Sequence, residues 1–173
     1  MAIRGEEMSP SPEVAVSFTL NGTPVTVTTD PDRSLLSVLR EDFGITSPKS
    51  ACEPQGHCGC CAVLVEGRPL LSCALKIPRL QGRRIETLEG FSAEVRDQLA
   101  WSFQEAGGCQ CGFCIPGIAV RAEALVRDHP RPTRSEIARA LRNHLCRCTG
   151  YTKIIDACLL YTSDAADDLL CVD

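Results

Sequence analysis

The sequence predicts an α+β fold in which a strand-rich half precedes an all-helical half. Three observations carry that prediction. Residues 14–29 alternate apolar and polar around Asn21-Gly22, which is the period and the turn of a β-hairpin. From residue 90 onward apolar residues recur on a helical period, between cap and stop signals. Strands first and helices second mark two adjacent units, here divided near residue 89.

The elements follow in order. Residues 1–12 form a polar lead-in, expected to be disordered. It has neither an apolar h-region nor a twin arginine, so no export signal is expected and the location reads as cytoplasmic. Strands are predicted at 14–20 and 24–29. In "DPDRSLLSVLREDFG", Leu35, Leu36, Val38 and Leu39 share a helical face, with Asp32 or Ser34 to cap it and Gly44 to end it. Pro48, Pro54, Gly56 and Gly59 then exclude regular structure. "CAVLVEGRPLLSC" reads as a second hairpin turning at Glu66-Gly67, and "RRIETLEG" as one more short strand.

Past Gly90, "SAEVRDQLAWSFQEAGG" is helical and stops at Gly107-Gly108. Its Trp101 and Phe103 are read as core. "PGIAVRAEALVRDHP" is helical, with Pro116 in its first turn and Pro130 beyond its end. "TRSEIARALRNHL" opens on a Thr133 to Glu136 capping box, and "KIIDACLL" is a last helix. The remainder is acidic, carries no helical period joined to what precedes it, and resembles translated adaptor sequence. Residues 158–173 are therefore set aside as a non-native tail, with Cys158 and Cys171 as accidental thiols. The units are then 13–89 and 90–157.

Composition narrows the function. The chain has 173 residues and is 44% hydrophobic, which is enough for a real core. A net charge of −4 argues against nucleic acid or an anionic membrane as partner. No apolar run reaches the ~18 residues of a membrane span. The abnormal number is twelve cysteines. Disulfide-rich scaffolds are usually shorter and exported, so thiols this dense point to metal.

Without the tail pair, ten thiols fall into two groups. The first is Cys52, Cys58, Cys61 and Cys73, spaced C-x5-C-x2-C-x11-C, with Cys60 as an extra. A plant-type two-iron site uses C-x4-C-x2-C…C. The loop is one residue longer, and the insertion is placed in "EPQG". A rival register uses Cys60 in place of Cys61, at the expense of the x2 pair. Glycines at 56 and 59 let backbone N–H groups curl toward inorganic sulfide. The second group is Cys111 and Cys114, a C-x2-C at a helix start, with Cys146 and Cys148, a C-x-C at the end of another helix. A four-thiolate zinc site is the alternative there, although C-x-C makes a poor zinc knuckle. His57 beside Cys58 is not enough for a Rieske centre, which needs two histidines. It reads as a residue shaping the loop, and His144 as packing on the helix before Cys146. Arg139, Arg142 and Arg147 either offset cluster charge or form a solvated face.

"CEPQGHCGCCAVLVEG…LLSC", "CQCGFCIPG" and "LCRCTGYTKIIDA" together resemble the small iron–sulfur subunit of molybdenum hydroxylases, over residues 14–157. The departures are the longer first loop, Cys60, Cys109 and the tail. The resemblance implies a β-grasp, ferredoxin-like domain with one [2Fe–2S] cluster, then a four-helix domain with a second. It implies a large molybdopterin subunit and a medium FAD subunit as partners, with electrons passing from molybdopterin through both clusters to FAD or another acceptor. It also implies that Gln110 and Cys148 lie against the pterin. The alternative is a stand-alone redox or metal-sensing protein with zinc in its helical half.

Overall fold

The computed structural model describes residues 12–168. The lead-in, apart from Pro12, and Cys171 lie outside them. Both hairpins form where the sequence places them. β1 (Val14–Leu20) and β2 (Thr23–Thr29) pair antiparallel, with Val16 opposite Val27. Asn21 and Gly22 turn between them with φ of 50° and 83°, the two positive values a tight hairpin turn requires. β3 (Ala62–Val65) and β4 (Arg68–Leu71) pair antiparallel around Glu66-Gly67. β5 (Arg84–Glu86) runs parallel to β1 and antiparallel to β3, which closes one five-stranded sheet in the order β2-β1-β5-β3-β4.

α1 (Leu35–Glu41) packs across one face of this sheet. Ser34 is its cap, its Oγ accepting the Ser37 N–H at 3.1 Å. Leu35, Val38 and Leu39 are fully buried in one core with Val16, Phe18, Val63 and Ile85.

Among the described residues the helical half has four helices: α2 (Ala93–Glu105), α3 (Ile115–Asp128), α4 (Arg134–Ala140) and α5 (Thr152–Asp168). The Thr133–Glu136 capping box is complete. α3 lies against β3, so all four residues of that strand are buried. Val63 and Val65 feed the core under α1, whereas Ala62 and Leu64 feed a second core with Phe91, Phe103, Ile118, Ile137 and Ile154. The strand's period-two alternation thus serves two apolar layers instead of one apolar and one wet face. The two halves share a wall.

Three expectations differ from the structure. Trp101 is 46% exposed, because the inward stripe of α2 runs through Leu99, Ser102 and Phe103 and leaves position 101 outside it. α4 ends at Ala140, earlier than the predicted run to Leu145. His144 is drawn beneath the first thiol loop, and Leu145 N–H donates to the Cys58 carbonyl at 2.9 Å, so the chain must leave the helical path. The helical period also does not stop before Cys158. Ile154, Ala157, Cys158 and Tyr161 are all buried on one face of α5, and the Tyr161 hydroxyl donates to Glu123.

Candidate metal centres

The first centre is a loop that folds back on its own sulfur. Cys52 Sγ accepts the N–H groups of both His57 and Cys58 at 3.4 Å. Burial pushes the Cys52 thiol up, but those amides, the Cys58 side chain and the Gly56 backbone together outweigh it and the net direction is down. Cys58, beside it, moves up, mainly through burial. The loop is pinned at its far end. Lys49 N–H donates to the Cys60 carbonyl at 3.0 Å, and Ser72 donates to the Cys61 carbonyl through N–H at 3.2 Å and Oγ at 2.8 Å. Cys61 stands just before β3. Cys73 arrives on the 3-10 turn after β4, and Leu36 packs against both thiols. Burial, then the neighbouring Cys61, pushes Cys73 up to about 12.

Cys60 turns the other way. It joins the core of the helical half and lines the second centre's hollow together with Cys114 and Cys146. Burial pushes its thiol up to about 12, and its Sγ donates to the Cys58 carbonyl at 3.7 Å. His57 contributes only its backbone to this loop.

The second centre sits between the start of α3 and the α4–α5 connection, around a hollow of about 530 Å³. Cys114 is the N-cap residue of α3 and is buried. Burial, then Cys146, pushes its thiol up to about 12. Cys146 and Cys148 lie in the connection to α5 and not on α4, as a consequence of that helix ending early. The Sγ atoms of Cys111 and Cys148 are 3.5 Å apart, both on the surface. Cys111 is moved down, first by the Phe113 amide, and Cys148 up by Cys111 beside it. Burial raises Cys146, but the Thr149 hydroxyl and nearby amides outweigh it, for a net shift down.

Eight thiols neighbour one another two by two, Cys52 with Cys58 and Cys61 with Cys73 in the first centre, Cys114 with Cys146 and Cys111 with Cys148 in the second, while Cys60 also lies against Cys58. Among the described residues no three His, Cys, Asp or Glu side chains close around a single point. A lone tetrahedral ion needs four donors around one point. A two-iron cluster needs two thiolates at each iron, and two pairs per centre fit that demand.

Backbone joins the centres directly. A Cβ on Gly117 would stand 2.4 Å from the Gly59 carbonyl oxygen and 3.0 Å from Cys60 Cα. A Cβ on Gly59, at φ +78°, would meet the His144 ring at 2.6 Å. His144 fills this junction; neither ring nitrogen makes a hydrogen bond of normal geometry, and the Gly117 backbone is the polar group beside the ring. Burial, then the charge of Arg121, pushes its pKa down to about 4, so the ring is neutral. Gln110 Nε2 donates to the Cys148 carbonyl at 3.1 Å, which brings the two expected pterin neighbours together on the surface. Of the three arginines, Arg147 lines the second centre, whereas Arg139 and Arg142 line a separate hollow with Arg121.

Gly117, Thr149 and Tyr151 were not singled out by sequence reasoning. The last two stand inside "CRCTGY", and that run is the signal that could have found them. Tyr151 has a left-handed backbone (φ 71°), and its hydroxyl oxygen accepts the Cys146 N–H at 2.9 Å.

Fold and centres together define a ferredoxin-like protein built to hold two thiolate-bound clusters side by side. The family comparisons agree in both halves. Residues 18–86 match the 2Fe-2S iron-sulfur cluster binding domain, and residues 87–159 match the [2Fe-2S] binding domain. The nicotinate dehydrogenase small FeS subunit of Eubacterium barkeri is 41% identical over 143 residues, covering 82% of this chain and 90% of the relative. The solved structure of quinoline 2-oxidoreductase from Pseudomonas putida 86 superposes with a TM-score of 0.83 at 36% identity, over 91% of this chain and 98% of the matched one. Aldehyde oxidoreductase from Desulfovibrio gigas superposes with a TM-score of 0.82 at 31% identity, over 90% of this chain but 17% of that longer chain. The chain belongs to the family of small iron–sulfur subunits of molybdenum hydroxylases. Its β-grasp and four-helix halves are those the resemblance implied, and zinc in the helical half is not favoured.

Proposed function

We propose that this chain is the electron-transfer subunit of a molybdenum-dependent oxidoreductase, holding one [2Fe–2S] cluster on Cys52, Cys58, Cys61 and Cys73 and a second on Cys111, Cys114, Cys146 and Cys148. The observation that carries this reading is the arrangement of eight thiols as two pairs per centre, with the two loops in backbone contact. When bound, the clusters supply one-electron carriage between a molybdopterin site and an acceptor. The chain's own residues hold the thiols in place, shield the first centre from water, and leave one edge of the second open.

That open edge supports the placement of the partner. Cys111, Cys148 and Gln110 are exposed, flanked by Phe113 at 44% and Leu145 at 57% exposure. In this reading Gln110 and Cys148 face the pterin of a large molybdopterin subunit, and the buried first centre faces a medium subunit carrying FAD. The two cluster-binding units are taken as 13–89 and 90–157, with the part of α5 beyond residue 157 packing on the second unit without a described hydrogen bond to a thiol. A cytoplasmic setting keeps such thiols reduced. No helix among the described residues is long and apolar enough to cross a membrane.

Iron and acid-labile sulfide analysis tests the reading, together with paramagnetic resonance after dithionite. About four irons per chain and two distinct signals are expected, since each centre takes two irons. A colourless, zinc-bearing preparation overturns it. Cys60→Ser and Cys109→Ser retain both signals, whereas Cys61→Ser removes one. Loss of a signal in Cys60→Ser would transfer the ligand role from Cys61 to Cys60.

A further inference from the structure

The chain after the second thiol pair folds into a short relay that ends on a ligand sulfur. Thr149 Oγ1 lies 3.1 Å from Cys146 Sγ. Either atom could donate in the free thiol. One contact in the structure and the chemistry of a ligand thiolate set the direction. Tyr151 N–H donates to Thr149 Oγ1 at 3.3 Å, so that oxygen already accepts and its own proton is free to point elsewhere. A thiolate, for its part, can only accept. The relay is therefore Tyr151 N–H to Thr149 Oγ1, and Thr149 O–H to Cys146 Sγ.

Tyr151 holds this geometry from both sides. Its φ of 71° is a conformation that bulky residues avoid, and it brings one residue's amide to Thr149 and its phenol oxygen to the Cys146 N–H at 2.9 Å. Backbone strain at such a residue persists only where surrounding contacts enforce it. Gly150, at φ +67°, makes the turn that lets Tyr151 reach back.

We infer that Thr149 is a potential-setting residue of the second centre, its hydroxyl donating to the Cys146 thiolate and favouring the reduced state there but not at the first centre. This rests on Cys146 being a ligand, as proposed above. One-electron reduction adds one negative charge that is partly carried by the ligand sulfurs, and no bond to the chain forms or breaks. A hydrogen bond to sulfur stabilises that added charge, so it raises the reduction potential. Bonds to charged groups are stronger than bonds to neutral ones, and the difference between the two redox states is a part of that strength. Among the described residues the first centre has no hydroxyl-to-sulfur bond. The donors to its sulfurs are backbone amides: those of His57 and Cys58 on Cys52 at 3.4 Å, with the Gly56 backbone beside Cys52 and Cys73 and the Cys60 backbone beside Cys58.

The test is a dithionite titration of the iron-loaded protein, with both signals followed by paramagnetic resonance. Thr149→Val removes the hydroxyl at nearly constant volume. The second centre is expected to become about tenfold harder to reduce, ~59 mV lower for one electron, with the first centre unmoved. Thr149→Ser keeps the hydroxyl and is expected to hold the native potential. If the valine variant fails to load iron, Thr149→Ala gives the same downward shift. An unchanged second potential in a hydroxyl-free variant, or equal shifts at both centres, overturns the inference. Native protein that binds no iron overturns the cluster reading instead, so the two failures are distinct.

Discussion

At Gly117 the absence of a side chain decides how the two thiol loops meet. The position is inside α3, where alanine would ordinarily stabilise a helix by about 1 kcal/mol over glycine. Here the added Cβ would stand 2.4 Å from the Gly59 carbonyl oxygen, a backbone atom that cannot swing aside. Forcing such a contact costs about 3 kcal/mol, so the contact wins. Gly117→Ala is expected to be about 2 kcal/mol less stable in urea titration and to weaken the magnetic interaction between the reduced centres. A variant more stable than the native protein would remove the backbone contact as an explanation. The neighbouring His144 shows the same economy of space. Its ring fills the space under Gly59, where burial and then the charge of Arg121 keep it neutral.

Among the elements, those governed by local chemistry were legible in the sequence. Asn21-Gly22 and Glu66-Gly67 announce their hairpins because few residues accept their backbone angles. Thr133 and Glu136 announce the start of α4 because the box is closed by residues three apart. The two thiol groups were legible because ligand spacing is local. What depends on packing between halves was not. Nothing near Ala140 predicts that α4 stops there, since the cause is the Cys58 carbonyl some eighty residues upstream. The direction of Cys60 was hidden for the same reason, as it is set by which wall of β3 faces α3. α5 illustrates the limit from the other side. Its acidic end reads as foreign, yet Cys158 and Tyr161 pack on the core. A chain ending at Ala157 is expected to lose about 3 kcal/mol of stability through their removal. It is also expected to keep both paramagnetic signals, because no described hydrogen bond beyond Ala157 reaches a thiol. Loss of the second signal on truncation would make the end of α5 part of that centre.

For the whole molecule, β3 and Arg127 bind the halves into one unit. Arg127 on α3 donates to Glu86 of β5 at 2.7 and 3.1 Å and to the buried Glu123 at 2.7 Å, and it lies 5.2 Å from the Phe91 ring centroid. The Glu86 side chain, then burial opposing it, then Glu123 shift its pKa, with a net direction upward. Arg127→Ala leaves Glu123 buried with the Tyr161 hydroxyl as its remaining described partner. A loss of about 2 kcal/mol is expected, below the full cost for a buried pair because the arginine is partly exposed. In urea the two cluster absorptions of the native protein are expected to bleach together, as one cooperative transition. In Arg127→Ala they are expected to separate. Separate bleaching in the native protein would mean that the shared wall does not couple the halves.

The unequal exposure of the two centres has a practical outcome for anyone handling the protein. Cys58, Cys61 and Cys73 are sealed, whereas Cys111 and Cys148 stand at the surface. Stored in air without its companion subunit, the preparation should fade in stages: the helical-half colour goes first and the ferredoxin-like colour lingers. A chelator should strip the metal in that same sequence, and adding the companion back should slow only the earlier stage.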